Sequence, residues 1–466
     1  MGDEISDHAT SASHAGAVWL VAALCLAVLT CQLNATMVGP VLPDVARGLG
    51  VSIGAASWVQ SLFFLAGAVA AILLGRLSDL HGGRGILLGV LAAQVAGAAL
   101  SAAAPSLAVM LGGRLLAATT GVTYPIAFVL IGRALPAAWF GPTLGLITAL
   151  NGGAAALDGY VAGLLDAEFG FRSVFVALGL FGVIALAAMW RAVPPAPAAS
   201  RVAGRMDWAG GLALSGALIA ASLALGNVSS RIGLAWLGLA CVGVGLFVWA
   251  ERRAPTPLIA LPQLGSRRVW PVLLSTLLAT GAGFAAQNFI LPLLAQDRST
   301  GFSLDAAHAA LWLITPADLI GLLLAPACGW LAGRGRGVDG WLRLLRAGLA
   351  SSLVLLVALA WRPGDELLVL AAALLFGITY NGATLTTLNG LGVKLSPPEA
   401  PSILPALNGA AFGLGAGLGT TLAAPFVSSG RYGASFAVAA GLVAAALVMS
   451  WAIARRAGEP GVQGNV

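Results

Sequence analysis

Apolar residues run through almost the whole chain in blocks of about twenty, broken by short polar stretches. A helix rises 1.5 Å per residue, so a block of that length crosses the roughly 30 Å hydrocarbon core of a bilayer. The breaks predict fourteen spans, numbered here in chain order, at 17–38, 53–74, 85–104, 107–131, 143–165, 172–193, 208–226, 232–250, 269–294, 308–331, 341–361, 366–390, 401–427 and 433–454. Connections are short except at 194–207 and 251–268, which bracket spans 7 and 8. The expected architecture is an all-α polytopic membrane protein. It has a polar tail (1–16), a six-helix bundle (17–193), a linker carrying an inserted helix pair (194–268), a second six-helix bundle (269–454) and a closing tail (455–466).

Composition sharpens this picture. Hydrophobic residues make up 59% of the 466 and charged ones 9%, with a mean hydropathy of +0.93. A soluble domain carries about 25% charged residues. The net charge of +6 comes from basic residues set singly between apolar runs, so a nucleic-acid partner is not expected. Of the 24 Lys and Arg, only Arg47, Arg172, Arg231, Arg298, Arg362 and Arg431 fall in one set of loops. Arg114 lies inside a span, and the rest fall in the other set and the closing tail. The positive-inside rule therefore places both termini in the cytoplasm, with the spans in the plasma membrane. Cys25, Cys31, Cys241 and Cys328 sit in or beside apolar runs without metal-ligand spacing, so they read as small packing residues. No metal or cofactor is expected, and no nucleophile–base pair suggests an enzyme.

A weak repeat relates the two six-helix blocks. Gly75 and Leu77 of GRLSDLHGGRG (75–85) match Gly329 and Leu331 of GWLAGRGRG (329–337), each segment following the second helix of its block. Parallel repeats with a substrate site between them are a transporter architecture. Polar residues inside spans concentrate in a subset of helices: Asn34, Gln60, Tyr124, Asn151, Gln287, Asn288, Tyr380, Asn381 and Asn408. They predict a polar cavity, with Trp58, Phe64, Trp312 and Phe376 as candidate apolar wall. Three ionisable residues lie deep: Arg114, Asp158 and Asp318. Arg114 and Asp158 fall at similar depth and are expected to pair, either as structural glue or as a proton or cation site. The glycine spacings of GAAFGLGAGLG (409–419) lie in a span with no preceding strand, which points to close helix packing and not to a nucleotide loop.

These segments resemble the major facilitator superfamily, in particular its fourteen-helix drug:proton antiporter branch, over nearly the whole chain. GRLSDLHGGRG is similar to the superfamily signature at Gly75, Leu77, Asp79, Gly82 and Arg84, with Leu80 and Gly83 where basic residues are usual. The resemblance implies that Asp79 and Arg84 lock a cytoplasmic gate. LNATMVGPVLP (33–43) resembles the branch's span 1 motif with Asn34 in place of an acid, and Arg114 resembles its span 4 arginine, with Ala117 and Ala118 where Gln-Gly is usual. Asp158-Gly159 stands where the exporters' span 5 has Gly-Pro. RMDW (205–208) and ERRAPTPLI (251–259) around the inserted pair are similar to that branch as well. The implied function is alternating-access transport: proton-coupled efflux of small apolar or cationic compounds by a monomer in the lipid bilayer. The alternative is an uncoupled or specific exporter or facilitator of one endogenous metabolite, and a non-transporting sensor is a third reading.

Overall fold

The computed structural model describes residues 14–153, 155–193, 204–227, 230–258, 269–297, 302–304, 306–335, 337–397 and 399–457. Among these residues the regular structure is helical, and thirteen helices are long and apolar enough to cross a membrane. Span 5 is the remaining one: Ala137–Gly153 and Ala155–Phe169 lie on either side of residue 154. Observed bounds follow the expected ones closely, as in Arg172–Ala192 and Trp208–Gly226. Polar residues fix several starts. Asp207 accepts from the Gly210 N–H at 2.9 Å, Ser230 from Gly233 at 3.1 Å and Asp365 from Leu368 at 3.1 Å, satisfying donors that a helix start leaves open.

Two features depart from uniform spans. His14–Thr36 stops at a bend on Met37, and a second helix, Val38–Leu49, continues beyond it. The hydropathy pattern placed the second piece in a connection. Spans 9, 10 and 12 each contain a π-helical turn, at Ala286–Ile290, Ala310–Ile314 and Gly377–Leu385.

Spans 1 to 6 pack on one another, as do spans 9 to 14. Span 7 docks between the two blocks against spans 2 and 13, and span 8 packs mainly on span 7. Span 7 approaches closely because Gly211 meets Leu73 and the Leu225 carbonyl accepts from Thr421 at 3.2 Å. Within 409–419, an added Cβ at Gly419 would lie 1.7 Å from the Gly281 carbonyl oxygen, so this stretch is a helix-packing surface. The strongest packing between blocks joins Ala137–Gly153 to Thr315–Gly333, on the face that carries the 75–85 signature. Toward the opposite face the principal shared contact among the described residues is between Ala155–Phe169 and Thr315–Gly333.

Candidate functional site

The first half of the site is built on the break in span 1. Met37 is a bend, so the Asn34 and Ala35 carbonyls leave the helical ladder, and Pro40 has no N–H to offer the Thr36 carbonyl. In a membrane interior such groups need a donor. Arg114 supplies one: Nη2 donates to the Asn34 carbonyl at 3.0 Å, Nη1 to Asn34 Oδ1 at 3.3 Å and Nε to the Val59 carbonyl at 2.9 Å. Its guanidinium also lies 4.4 Å over the Phe63 ring. Gln60 Nε2 donates to the Ala35 carbonyl, and Asn34 Nδ2 to Thr30 at 2.9 Å. The expected Arg114–Asp158 pair does not form. The Asn34 carbonyl and side chain and the Val59 carbonyl occupy the guanidinium instead, and Gln60 takes the Ala35 carbonyl.

Asp158 accepts from the Thr36 hydroxyl. Its helix, Ala155–Phe169, packs on Thr315–Gly333 of the other block, which carries Asp318. Asp318 is 5% exposed, and its Oδ1 accepts from Gln287 Nε2 at 2.7 Å and Asn381 Nδ2 at 3.1 Å. Gln287, Tyr380 and Asn381 all stand on the π turns of spans 9 and 12, and Asp318 follows the π turn of span 10. Extra residues of this kind widen a helix and re-aim its side chains, which is why they recur at functional sites. Tyr380 packs its ring against Gly283 of span 9, where a side chain would collide. The second half of the site is thus one carboxylate held by two amides, with a tyrosine beside them.

On the signature face the blocks are latched together. Asp79 is buried and accepts from the Ser402 N–H at 3.2 Å and from the Ser402 hydroxyl at 2.7 Å. Arg76 Nη1 donates to the Glu399 carbonyl at 2.6 Å, and Gly75 leaves room for Ser402. Arg84 does not take part as expected. Gly82, at φ +100°, starts a new helix direction, and Arg84 donates to the Trp190 carbonyl at 3.1 Å and stacks over that ring. Gly329 matches Gly75 in the repeat and meets Gly141 backbone to backbone, as Gly145 meets Ala325. A polar chain runs beside these contacts: Thr276 donates to Asn408, Asn408 to Asn389 at 2.9 Å, and Asn389 to Thr148 of the other block at 3.1 Å.

The other candidates scatter. Tyr124 is half-buried against Phe128, Asn288 and Trp312 are exposed, and Phe376 is a core residue and not a wall. The side chain of Asn151 lies outside the described residues. Sequence reasoning did not single out Arg76, Thr148, Thr276 or Ser402 as site residues. Arg76 sits inside the signature, whereas Ser402 lies in a turn (399–402) that carries no pattern of its own.

Residues 24–404 match the family model of the Major Facilitator Superfamily. The chain is 34% identical over 432 residues to a uridine/deoxyuridine transporter of Lactococcus lactis, covering 90% of this chain and 88% of that protein. It is 30% identical over 240 residues to the multidrug resistance protein Stp of Mycobacterium tuberculosis, covering 49% of this chain and 44% of that one. The fold also matches the human organic anion transporter MFSD10, with a TM-score of 0.65 at 15% identity over 93% of this chain and 99% of that one. A helical membrane bundle whose two six-span blocks latch on one face, with end-to-end sequence similarity to a transporter, belongs to the Major Facilitator Superfamily.

Proposed function

We propose that this protein is an alternating-access transporter of a small hydrogen-bonding metabolite of the nucleoside class. The carrying observation is the 34% identity to a uridine/deoxyuridine transporter over nearly the full length of both chains. The chemistry around Asp318 supports it. Amides and a carboxylate suit a substrate rich in donors and acceptors better than an apolar drug. This is the specific-metabolite reading, and it replaces multidrug efflux as the better-supported one. The efflux reading draws on the similarity to Stp, which covers about half of the chain.

In this proposal the blocks 17–193 and 269–454 rock about the central site. The signature face is cytoplasmic by the positive-inside rule, and the Asp79–Ser402 latch closes it. A carboxylate in each block, Asp158 and Asp318, carries the coupling proton between them. The test is counterflow of radiolabelled uridine into proteoliposomes of the purified protein, set against dye efflux under an imposed pH gradient. Dye transport without uridine counterflow overturns the proposal.

A further inference from the structure

We infer that the outer face of span 6 carries a binding site for an anionic phospholipid of the cytoplasmic leaflet. Arg84 and Arg191 hold its headgroup, and a groove along the helix holds one acyl chain. Val183, Leu186, Ala187, Trp190 and Arg191 line a shallow cavity of about 320 Å³. Their spacing of three and four residues puts them on one face of Arg172–Ala192. Val183 is 49% exposed and Trp190 66%, on a helix that crosses the membrane, so this face meets lipid. From Val183 to Arg191 the helix rises about 12 Å. One leaflet supplies roughly 15 Å of the hydrocarbon core, so the groove covers most of that depth. Its apolar end lies among acyl chains, and its arginine end lies at the cytoplasmic headgroups, where the positive-inside rule puts the end of span 6.

A second observation fixes the sign of the headgroup. Arg84, the signature arginine that turns away from the gate, reaches this end of span 6. It donates once, to the Trp190 carbonyl at 3.1 Å, and its guanidinium lies 5.7 Å over the Trp190 ring. A guanidinium has five N–H donors, and Arg84 Nε is buried with no partner among the described residues. Buried polar atoms are rarely left so. Arg191 is exposed and makes no hydrogen bond or ion pair among the described residues. Two cations without a carboxylate, beside a tryptophan at headgroup level, suit a phosphodiester of net negative charge. A zwitterionic headgroup would set its own ammonium beside the two guanidinium groups. Spans 3 and 6 pack together in the first block. A lipid held here therefore ties the start of span 3, just beyond the turn at Gly82, to the end of span 6 whichever way the blocks are turned.

The test reads Trp190 itself. The purified protein is placed in phosphatidylcholine bilayers that contain rising fractions of phosphatidylglycerol or phosphatidylcholine brominated on the acyl chains. Bromine quenches a tryptophan that it touches, and the Trp190 signal is the difference between each protein and its Trp190→Phe counterpart. An arginine near the surface adds about fivefold to the binding of an anionic lipid, so phosphatidylglycerol should be preferred over phosphatidylcholine by at least about tenfold. Arg84→Gln and Arg191→Gln should each lower that preference by about fivefold. Arg84→Gln also removes the bond to the Trp190 carbonyl, so Arg191→Gln, which breaks no bond in the structure, decides the matter if the first variant does not fold. Arg334 stacks over Trp330 at 3.5 Å and is the control for diffuse attraction to the basic face. Arg334→Gln should leave the preference at Trp190 within about twofold. Equal quenching by the two lipids overturns the inference, as does no quenching by either, the result expected if a second copy covers this face. An equal loss in Arg334→Gln overturns it as well. Millimolar glycerol 3-phosphate should not relieve the quenching, and relief would give the site to a free phosphate ester instead of a lipid.

Discussion

Adding a single methyl group at Gly329 tests how the two blocks close. An alanine Cβ there would lie 1.9 Å from the Gly141 carbonyl oxygen, and one at Gly145 would lie 2.1 Å from that of Ala325. Favourable carbon contacts begin near ~3.5 Å, so Gly329→Ala drives the facing helices apart by about 1.5 Å. Both sides of each contact are backbone, which cannot turn away. Overpacking of this sort costs about 1–3 kcal/mol. The cost falls on the state in which the signature face is closed, because opening that face separates the same backbones. The equilibrium between the two states should therefore move by about 5- to 150-fold toward the open one. Spin labels at His81 and Arg343 report it, since both side chains are exposed on that face in different blocks. In Gly329→Ala and in Gly145→Ala their distance distribution should shift to longer separations, with uridine counterflow reduced and the elution profile of the folded protein retained. An unchanged distribution with unchanged counterflow in both variants would refute the reasoning.

Three further outcomes are expected. Asp79→Asn weakens charge-assisted bonds to Ser402 worth about 1.5–3 kcal/mol, so turnover should fall at normal expression and Ser402→Ala should add little to it; additive losses would separate the two residues. Arg114→Lys cannot reach the Asn34 side chain, its carbonyl and the Val59 carbonyl together, so it should lower the melting temperature in detergent nearly as much as Arg114→Met, and a wild-type melting curve would contradict this. Cysteines at Ser229 and Gly430 should be labelled from outside the cell and cysteines at Ala203 and Ser266 from inside only, with external labelling at 203 or 266 overturning the topology.

The spans were legible because burial in lipid is a demand on whole segments, and twenty apolar residues announce it without help from any neighbour. The signature around Gly75 and Asp79 was legible for a related reason, as a tight local motif. What Asp79 touches was not, because Ser402 stands 323 residues away in a turn. Asn34, Arg114 and Asp158 were recognisable as a set of buried polar groups, yet charge alone suggested the wrong pairing. A backbone oxygen released at Met37 needs a donor in the membrane interior and takes the guanidinium, and a string of residue names does not display it. Gly39, Pro40 and Pro43 marked the break, though not what would fill it. The π turns were silent as well. A one-residue widening leaves hydropathy untouched while it turns Gln287 and Asn381 toward Asp318.

The break in span 1 also bears on how the chain is made. Synthesis delivers span 1 to the bilayer first, with the carbonyls at Asn34 and Ala35 unsatisfied. The guanidinium that closes the Asn34 carbonyl belongs to a residue 80 positions later. Until span 4 is inserted, that oxygen has only water or the insertion machinery to turn to, and Arg114 in its turn enters as a lone cation in an apolar helix. The two liabilities cancel when the segments meet. Spans 1 and 4 are therefore obliged to assemble as a unit early in biogenesis, and a nascent chain released after span 3 carries an open wound in its first helix.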